Sequence, residues 1–511
     1  MNTPILFKLT RTMIGRKVGL VIPPSPFLLD ERVFVSLGIL RVASSLEKQG
    51  VEVGVLDLSG VDNYLDALTS YLESADIEWI GITCTTPQLP AAVKLSKKIR
   101  TIKPNLRIVL GGPHVTLTYS AVKVEEKHGI VNGRARKAAN LLETYFDVLI
   151  SGDGEFAVFE CFKPDCAKMV DGDDMHGPFF MKNEQYEETE WPARHLVDLT
   201  SYHYHIEGFP ATSLIAQLGC PFNCGFCGGR NSRSLRVIRN RSEWSIIEEV
   251  SWLHETYGYT GFMFYDDELN VSKTFVKLMN DIYNLQQKLG VEFRLRGFIK
   301  AELFTEEQAE AMYRAGFRWI LSGFESADPR ILKNIDKMAT LEDNTRVVEI
   351  AHKYGLKVKA LMSVGHPGET KDSILSIRDW LIKMKVDDFD CTVITTYPGT
   401  PYYDLAIPHS SEKGVWTYTH KRSGDKLHAY ELDHTVTADY YKGDPNGGYT
   451  AYVFTDNVSA KEIVELRDIV ERDVRQALNI PFNPGGVSVK FEHSMGQGLT
   501  DAIYRESQLI K

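Results

Sequence analysis

The chain is informative first for what it lacks. It has no apolar run near the ~18–20 residues that a membrane-crossing helix needs. Its opening residues, MNTPILFKLTRTMIGRK, have neither the hydrophobic core nor the small-residue cleavage site of a secretory leader, so neither leader nor membrane span is expected. It has no basic excess: 58 Lys and Arg against 68 Asp and Glu leave a formal charge of −10. Nucleic acid, whose phosphates need a basic face, is therefore not expected as a partner. Seven cysteines in 511 residues, clustered instead of spread, do not make a disulfide framework and fit a reducing, cytoplasmic interior. With 43% apolar and 25% charged residues the composition is that of a globular protein. This length should hold two or three domains, each with its own core.

What is present concentrates in one stretch. Cys220-Pro-Phe-Asn-Cys224-Gly-Phe-Cys227, spaced C-x3-C-x2-C, is followed by Gly228-Gly229-Arg230. Thiolate is a soft ligand that suits zinc, copper(I) or iron–sulfur clusters. A zinc site would usually add a fourth Cys or His at matching spacing. No second CxxC lies downstream, and the nearest preceding histidines, His203 and His205, sit in an aromatic run. Three thiolates without a fourth suggest a cluster with one iron left open for a substrate or cofactor. The plainer alternative is a glycine-rich turn whose cysteines are small core residues. The five arginines from Arg230 to Arg241 suit a small anionic ligand or the surface.

Residues 1–185 alternate short apolar runs (Lys17–Ile22, Val51–Asp57, Trp79–Thr83, Arg107–Gly111, Asp147–Ile150) with helical patterns. That alternation predicts an α/β, doubly wound, Rossmann-like parallel sheet with ligands at the strand C-terminal ends. Those ends carry Thr83 to Thr86, Gly111 to His114, and Ser151 to Glu155. Residues 122–146 read as one charged, solvated helix, and Cys161 and Cys166 as core or surface cysteines. The stretch 167–207 has too few periodic apolar residues for a domain and reads as an inter-domain linker, with 186–207 as the linker proper between the domains. Residues 208–400 hold six βα-type repeats, the number of a partial (β/α)6 TIM barrel, in which function lies at the strand C-termini. Residues 401–511 are expected to form a small α-rich cap or substrate domain. Its helix 459–478 has an apolar stripe (Ile463, Leu466, Ile469, Val470, Val474) that should dock on the barrel.

The cysteine triplet, with aromatic Phe226 before its last member, resembles the signature of the radical S-adenosylmethionine (SAM) family. The resemblance implies a [4Fe–4S] cluster on Cys220, Cys224 and Cys227, with SAM on the fourth iron and Phe226 beside the adenine. Three acids at one strand end, Asp266, Asp267 and Glu268, repel one another and need a cation or donors nearby; in the family such acids accept from the SAM ammonium. Arg296 is expected to fork onto the SAM carboxylate, with Arg294 on the opposite strand face. Gly323-Phe-Glu325-Ser326 resembles the family's G-x-E-S strand and places Glu325 near the ribose. Lys337 falls where many members have a lysine. Gly365-His-Pro-Gly-Glu-Thr370 and Tyr397-Pro-Gly-Thr400-Pro resemble family turns whose glycines and prolines chiefly set backbone shape.

Upstream, SLGILRVASSLEKQGVEVGVLDL, GITCTTPQ, GGPHVT and SGDGE resemble consecutive strand-end segments of the cobalamin-binding domains that precede some radical SAM domains. The cobalamin contacts so implied are Thr83, Thr85, Gly111, Gly112, His114, Gly152, Gly154 and Glu155. Such domains often carry an Asp-x-His-x-x-Gly loop whose histidine replaces the lower cobalt ligand. No histidine precedes His114, so that ligand is absent here. The resemblance implies reductive SAM cleavage to a 5′-deoxyadenosyl radical, hydrogen abstraction from a small-molecule or peptide substrate, and methyl transfer from methylcobalamin. An external electron donor such as flavodoxin or ferredoxin is implied as partner. Oxidative cyclisation or rearrangement uses the same parts; a corrinoid or iron–sulfur carrier is the non-enzymatic alternative.

Overall fold

Val18 to Ile22 is an unbroken apolar run and every one of its residues is buried, so this strand must be covered on both faces, the condition of a parallel sheet. The computed structural model, which describes residues 13–25, 28, 31–440 and 450–480, supplies that cover. Strands β1 (Lys17–Ile22), β2 (Glu52–Asp57), β3 (Trp79–Thr83), β4 (Arg107–Gly111), β5 (Val148–Gly152) and β6 (Met169–Gly172) form one sheet in the order β2-β1-β3-β4-β5-β6. All its pairings are parallel. Helices α1 (Leu37–Lys48), α2 (Tyr64–Ser74), α3 (Leu89–Ile102), α4 (Pro113–Lys127), α5 (Arg134–Tyr145) and the one-turn α6 (Gly154–Ala157) cross between strands. Val18, Leu20 and Ile22 pack with Leu40 and Ala43 on one face; Val21, Ile80 and Ile82 pack with Leu68, Leu95 and Ala139 on the other. The sheet is doubly wound, as the alternation predicted.

Two expectations are corrected here. Met169–Gly172 is the sixth strand of this sheet and not linker: four residues are too short to show periodicity, and pairing with β5 decides the matter. Residues 122–146 are not one solvated helix. They are the end of α4 and the whole of α5, separated by Gly129 to Gly133, and α4 is buried on every side from His114 to Val122. A helix apolar or small all round its first turns is a core helix, and this one lies between the two halves of the molecule.

The connection, with the short helix α7 (Asn183–Glu187), leads into β7 (His205–Ile206), which forms a hairpin with β8 (Phe209–Leu214). Beside β8 run β11 (Gly261–Phe264) and β12 (Arg294–Gly297); β13 (Trp319–Glu325), β14 (Lys357–Val364) and β15 (Asp388–Val393) form the next sheet. Parallel bridges Leu295–Phe317 and Phe298–Leu321 join them. The series β8-β11-β12-β13-β14-β15 is thus the expected six-stranded partial barrel, wrapped by α8 (Glu243–Tyr257), α9 (Phe275–Leu289), α10 (Glu306–Ala315), α11 (Pro329–Asn334), α12 (Leu341–Lys353) and α13 (Lys371–Met384). Between β8 and α8 the short strands β9 (Gln217–Leu218) and β10 (Arg239–Asn240) pair antiparallel and pinch the base of the cysteine loop.

After the one-turn α14 (Pro401–Asp404), the remainder departs from the α-rich expectation. Strands β16 (Ile407–Pro408), β17 (Val415–Thr419), β18 (Lys426–Tyr430) and β19 (Val453–Phe454) form a four-stranded antiparallel sheet, followed by the single long helix α15 (Ala460–Leu478). The segments VWTYT and KLHAY alternate over too few residues to announce strands, and cross-strand pairing makes them so. The stripe on α15 behaves as expected: Ile463, Leu466, Val470 and Val474 are buried in the barrel's outer core, with Ile469 half-buried. Asp444 to Gly448, Tyr441 and Tyr449 lie outside the described residues. Among the described residues no helix is long and apolar enough to cross a membrane.

Candidate functional site

The cysteine loop leaves β9 through Gly219, whose φ of +88° and closeness to the Val237 carbonyl (2.3 Å from an added Cβ) admit only glycine. Backbone bonds then fix it: Cys220 N–H donates to Leu235 O (3.0 Å), Gly225 N–H to Ile335 O (2.7 Å) and Tyr402 N–H to Gly225 O (3.3 Å). Arg236 donates to the carbonyls of Phe222 (2.6 Å) and Pro221 (2.7 Å), which closes the turn between the first two cysteines. The loop sits at the C-terminal ends of the barrel strands, with Cys220 and Cys224 half-buried and Cys227 exposed.

Burial pushes the Cys220 thiol up to about 11, with Glu268 and Asp267 adding to the rise. Burial also raises Cys224, opposed by the ammonium groups of Lys337 and Lys300. Metal-free, these thiols are protonated at neutral pH, so metal binding must release their protons. Among the described residues no three His, Cys, Asp or Glu side chains converge on a point that would hold a single metal ion. Three thiols on one loop are soft ligands of the kind that hold iron–sulfur clusters.

The three acids separate into different roles. Asp266 is buried and accepts the backbone N–H groups of Ala216 (3.2 Å) and Gln217 (2.5 Å), so it anchors β9 and faces no ligand. Burial lifts its carboxyl to about 7 against those two donors. Asp267 is the exposed member and Glu268 is half-buried; burial raises Glu268 to about 7, opposed by Lys337 and Lys300. The expectation that all three acids face SAM therefore holds open for Asp267 and Glu268 alone.

Arg296 is placed differently from expectation. Its register partner on β11 is Met263, three residues before Asp266, and it is buried with the Tyr204 hydroxyl as a hydrogen-bond partner and its guanidinium 6.0 Å from the Trp319 ring centre. The cations that act on Cys224 are Lys337 and Lys300. Arg294 does not take the opposite face: two residues along a strand return to the same face. It lies over Phe209 (4.5 Å) and pairs with Glu207 (3.3 Å) and Glu292 (2.5 Å) at the other end of the barrel.

Glu325 ends β13 with φ +63°, at a register shift against β14. One carboxylate oxygen lies 3.1 Å from the buried Lys337 ammonium and the other accepts from Ser363 Oγ (2.7 Å), which also touches His366 Nε2 (2.8 Å). Phe226 is half-buried with its ring centre 5.4 Å from the His366 imidazole. Lys300, fully buried, donates to Lys337 O (2.9 Å) and lies 4.4 Å from the centre of the Phe222 ring within the cysteine loop. Lys300, Ser363, His366 and Tyr402 were not singled out from the sequence. His366 and Tyr402 stand inside or beside turns whose glycines and prolines drew the attention, whereas nothing local marks Lys300.

In the first domain the edge residues divide in the same way. Thr83 is half-buried at the end of β3, and Thr85 is exposed and caps the turn to Gln88, whose amide donates to Pro23 O (3.1 Å) and Ser25 Oγ (2.9 Å). Gly111 has nothing nearer than 3.9 Å to an added Cβ, and Gly112 has φ +95°. Gly152 and Gly154 are packing glycines: an added Cβ would lie 2.4 Å from Asp173 N and 2.8 Å from Val42 Cγ2, respectively. Glu155 does not face the edge; it is buried in an ion pair with Arg41 of α1 (3.2 Å). His114 is buried between Thr86 Oγ1 (3.1 Å from Nδ1) and the ring of His434, 6.3 Å away. Burial holds its imidazole neutral, at about 3. The hydroxyls of Ser120 on α4 and Ser151 on β5 are buried without a protein partner. The residues left at this edge are Thr83, Thr85, Gly111 and Gly112, none of them fully buried, and their hydroxyls and small backbone suit a large polar ligand, whereas the Ser120 and Ser151 hydroxyls are enclosed.

The two halves meet through specific contacts. An added Cβ on Gly228, next to Cys227, would lie 3.2 Å from Leu117 of α4, and one on Gly399 would lie 2.9 Å from the Leu117 carbonyl. Asp173 accepts from Ser232 Oγ (2.6 Å), Ser234 N (2.7 Å) and Ser234 Oγ (2.8 Å). Arg134 of α5 lies 3.5 Å from the Tyr403 ring centre and 4.2 Å from that of Trp416.

Comparison with known proteins agrees with this division. Residues 31–143 match the B12 binding domain and residues 214–381 the radical SAM superfamily. An uncharacterized methyltransferase of Pyrococcus horikoshii is 27% identical over 410 residues, covering 77% of this chain and 84% of its own. The anaerobic magnesium-protoporphyrin IX monomethyl ester cyclase of Rubrivivax gelatinosus is 23% identical over 419 residues, covering 77% and 72%. Among solved structures, the radical S-adenosylmethionine methyltransferase TsrM of Kitasatospora setae, with cobalamin and a [4Fe-4S] cluster bound, has the same fold: TM-score 0.60 at 19% identity, covering 81% of this chain and 82% of that one. With both domains present, in this order and in contact, the chain is a cobalamin-dependent radical SAM enzyme whose cofactors are a [4Fe–4S] cluster, SAM and cobalamin.

Proposed function

We propose that this enzyme methylates an unactivated carbon of a small-molecule or peptide substrate. The observation that carries the reading is the joint between its halves: α4 runs from the edge of the B12-binding sheet and places Leu117 against Gly228 of the cysteine loop. Two ligand sites that share a wall suit a reaction in which both cofactors act on one substrate. When bound, the cofactors supply the difficult chemistry, reductive SAM cleavage to a hydrogen-abstracting radical and delivery of a methyl group. The protein's part is to bind, orient and exclude water.

In this reading Cys220, Cys224 and Cys227 hold the cluster. Asp267 and Glu268 receive the SAM ammonium, and Lys337 and Lys300 oppose the rise that burial imposes on the Glu268 carboxyl. Glu325, with Lys337 on one oxygen, presents lone pairs to the ribose hydroxyls, and Phe226 flanks the adenine. Thr83, Thr85, Gly111 and Gly112 would line the corrinoid site, and the first-strand loop offers no histidine that could serve as a cobalt ligand. We assign residues 1–185 to the cobalamin domain, 208–400 to the barrel and the following sheet to the substrate side. An external one-electron donor and a cytoplasmic setting complete the proposal.

Anaerobic incubation with SAM, reductant, cobalamin and candidate substrates tests it. Equal amounts of 5′-deoxyadenosine and S-adenosylhomocysteine are expected. 5′-Deoxyadenosine alone would favour cyclisation, the reaction named for the Rubrivivax relative; neither product would refute the proposal.

A further inference from the structure

Ser363 Oγ stands between two partners, Glu325 Oε2 at 2.7 Å and His366 Nε2 at 2.8 Å. A hydroxyl has one proton to give. Glu325 is paired with the Lys337 ammonium at 3.1 Å, and an ionised carboxylate only accepts, so the serine proton goes to Glu325. His366 Nε2 must then be the donor to Ser363 Oγ. Its Nδ1 is left as an acceptor, and what faces it is the Tyr402 hydroxyl at 3.5 Å. His366 is fully buried, and burial holds it neutral, at about 4, so one tautomer satisfies both of its hydrogen-bonding neighbours.

The protons therefore run one way, from Tyr402 to His366 to Ser363 to Glu325. At the start of this chain, Tyr402 is part of the cysteine-loop scaffold: its N–H donates to Gly225 O, and its ring would lie 2.6 Å from a Cβ on Gly225. The His366 ring also meets Phe226, between the second and third cysteines. At the other end, Glu325 adopts a positive φ of 63° without being glycine. Such a backbone costs roughly 1–3 kcal/mol and persists where its surroundings over-determine it.

We propose that His366 is a positioning residue for Glu325: through Ser363 it fixes the angle of the carboxylate that takes the ligand's hydroxyls, and through Tyr402 and Phe226 it keeps that carboxylate in register with the cysteine loop. The proposal rests on the reading of Glu325 as a SAM contact beside a cluster-bearing loop. It concerns His366 itself, which stands between Gly365 and Pro367 in the Gly365–Thr370 turn.

Equilibrium SAM binding to the anaerobically reconstituted protein tests it, with iron and sulfide content measured in parallel. In His366→Phe the ring against Phe226 remains but the donor to Ser363 is gone; Ser363→Ala breaks the same link with a smaller change. Both should weaken SAM binding about tenfold, the equivalent of one hydrogen bond to a charged group, with cluster content unchanged and KM for SAM raised more than kcat is lowered. In His366→Gln the amide N–H can donate to Ser363 while its oxygen accepts from Tyr402, so affinity should stay within about twofold of the parent. The proposal is overturned if His366→Phe and Ser363→Ala bind SAM like the parent, or if His366→Gln is as weak as His366→Phe. A parent protein that holds iron and sulfide yet binds no SAM would remove the underlying reading of Glu325 and the proposal with it.

Discussion

Asp153 Oδ2 lies 2.5 Å from Arg239 Nη1. The two residues belong to different domains: Asp153 follows β5 at the edge of the B12-binding sheet, and Arg239 opens the strand that closes the cysteine loop. Arg239 is fully buried and also donates to Met181 O (3.1 Å). A buried pair is not by itself strong evidence of net stabilisation, but removing one partner strands the other charge. Asp153→Ala should therefore lower unfolding stability by about 3–5 kcal/mol, read from urea melts. Asp153→Ala combined with Arg239→Met should recover part of the loss, and purely additive effects would show that the pair does not couple the domains.

Cys224→Ala removes one of the three thiols while Gly225, Tyr402 and Arg236 keep the loop in place. Iron and acid-labile sulfide should fall to background after anaerobic reconstitution, and 5′-deoxyadenosine should not form. Retained turnover would refute the assignment of this loop.

Neighbouring acids should behave oppositely. Asp266→Ala leaves the N–H groups of Ala216 and Gln217 unsatisfied in a buried place, and each such group costs about 1–3 kcal/mol. Its thermal midpoint should drop, with SAM affinity near that of the parent well below that midpoint. Asp267→Asn, at an exposed position, should shift stability by no more than about 0.5 kcal/mol and weaken SAM binding several-fold. A stable, SAM-deficient Asp266→Ala would reverse the division of roles.

The joint between domains should be acid-sensitive through His434, which packs edge-on against His114. Burial lowers the His434 imidazole from 6.5 to about 4. A group whose folded value is depressed contributes stability that is present above its unfolded value and lost as pH falls. From pH 6.5 to 4 the parent should lose up to about 3 kcal/mol relative to His434→Phe. Asp266, raised to about 7, acts in the opposite sense: its contribution is full below 3.8 and lost as pH rises through 7. The difference between parent and variant, followed by chemical denaturation at each pH, is thus the quantity to measure. A pH-independent difference would show that His434 ionises freely in the fold.

Much of the architecture was legible because it rests on repetition. Five apolar runs alternating with helical patterns imply the first sheet, and six βα repeats imply the barrel. The cysteine spacing, which is local, was legible in full. What could not be read was what depends on a partner distant in the chain. Asp266 and Asp267 are adjacent and chemically alike, and only the position of Ala216 and Gln217 makes one an anchor and leaves the other exposed. Glu155 looks like an edge residue until Arg41, 114 positions away, takes its carboxylate. The sheet after residue 406 escaped notice because its strands are two to five residues long and stable only as a set. His366 was in view, but as a spacer between a glycine and a proline.

Leu117 stands only four positions after Pro113, the first residue of α4, about one turn and some 6 Å along the helix axis from it. A single turn of helix is the whole spacer between the edge of one ligand-binding sheet and the loop of the other. Such a spacer is nearly incompressible and has no hinge. The two domains are thus unsuited to admitting a substrate by swinging apart at this point, as a clamshell would. Under the function proposed above, entry is expected instead at the flank where β16 to β19 and the segment bearing His434 lie. Among variants of this scaffold, changes of substrate should accordingly be concentrated in that flank, while the turn from Gly112 to Leu117 stays the fixed gauge of the gap between cofactors.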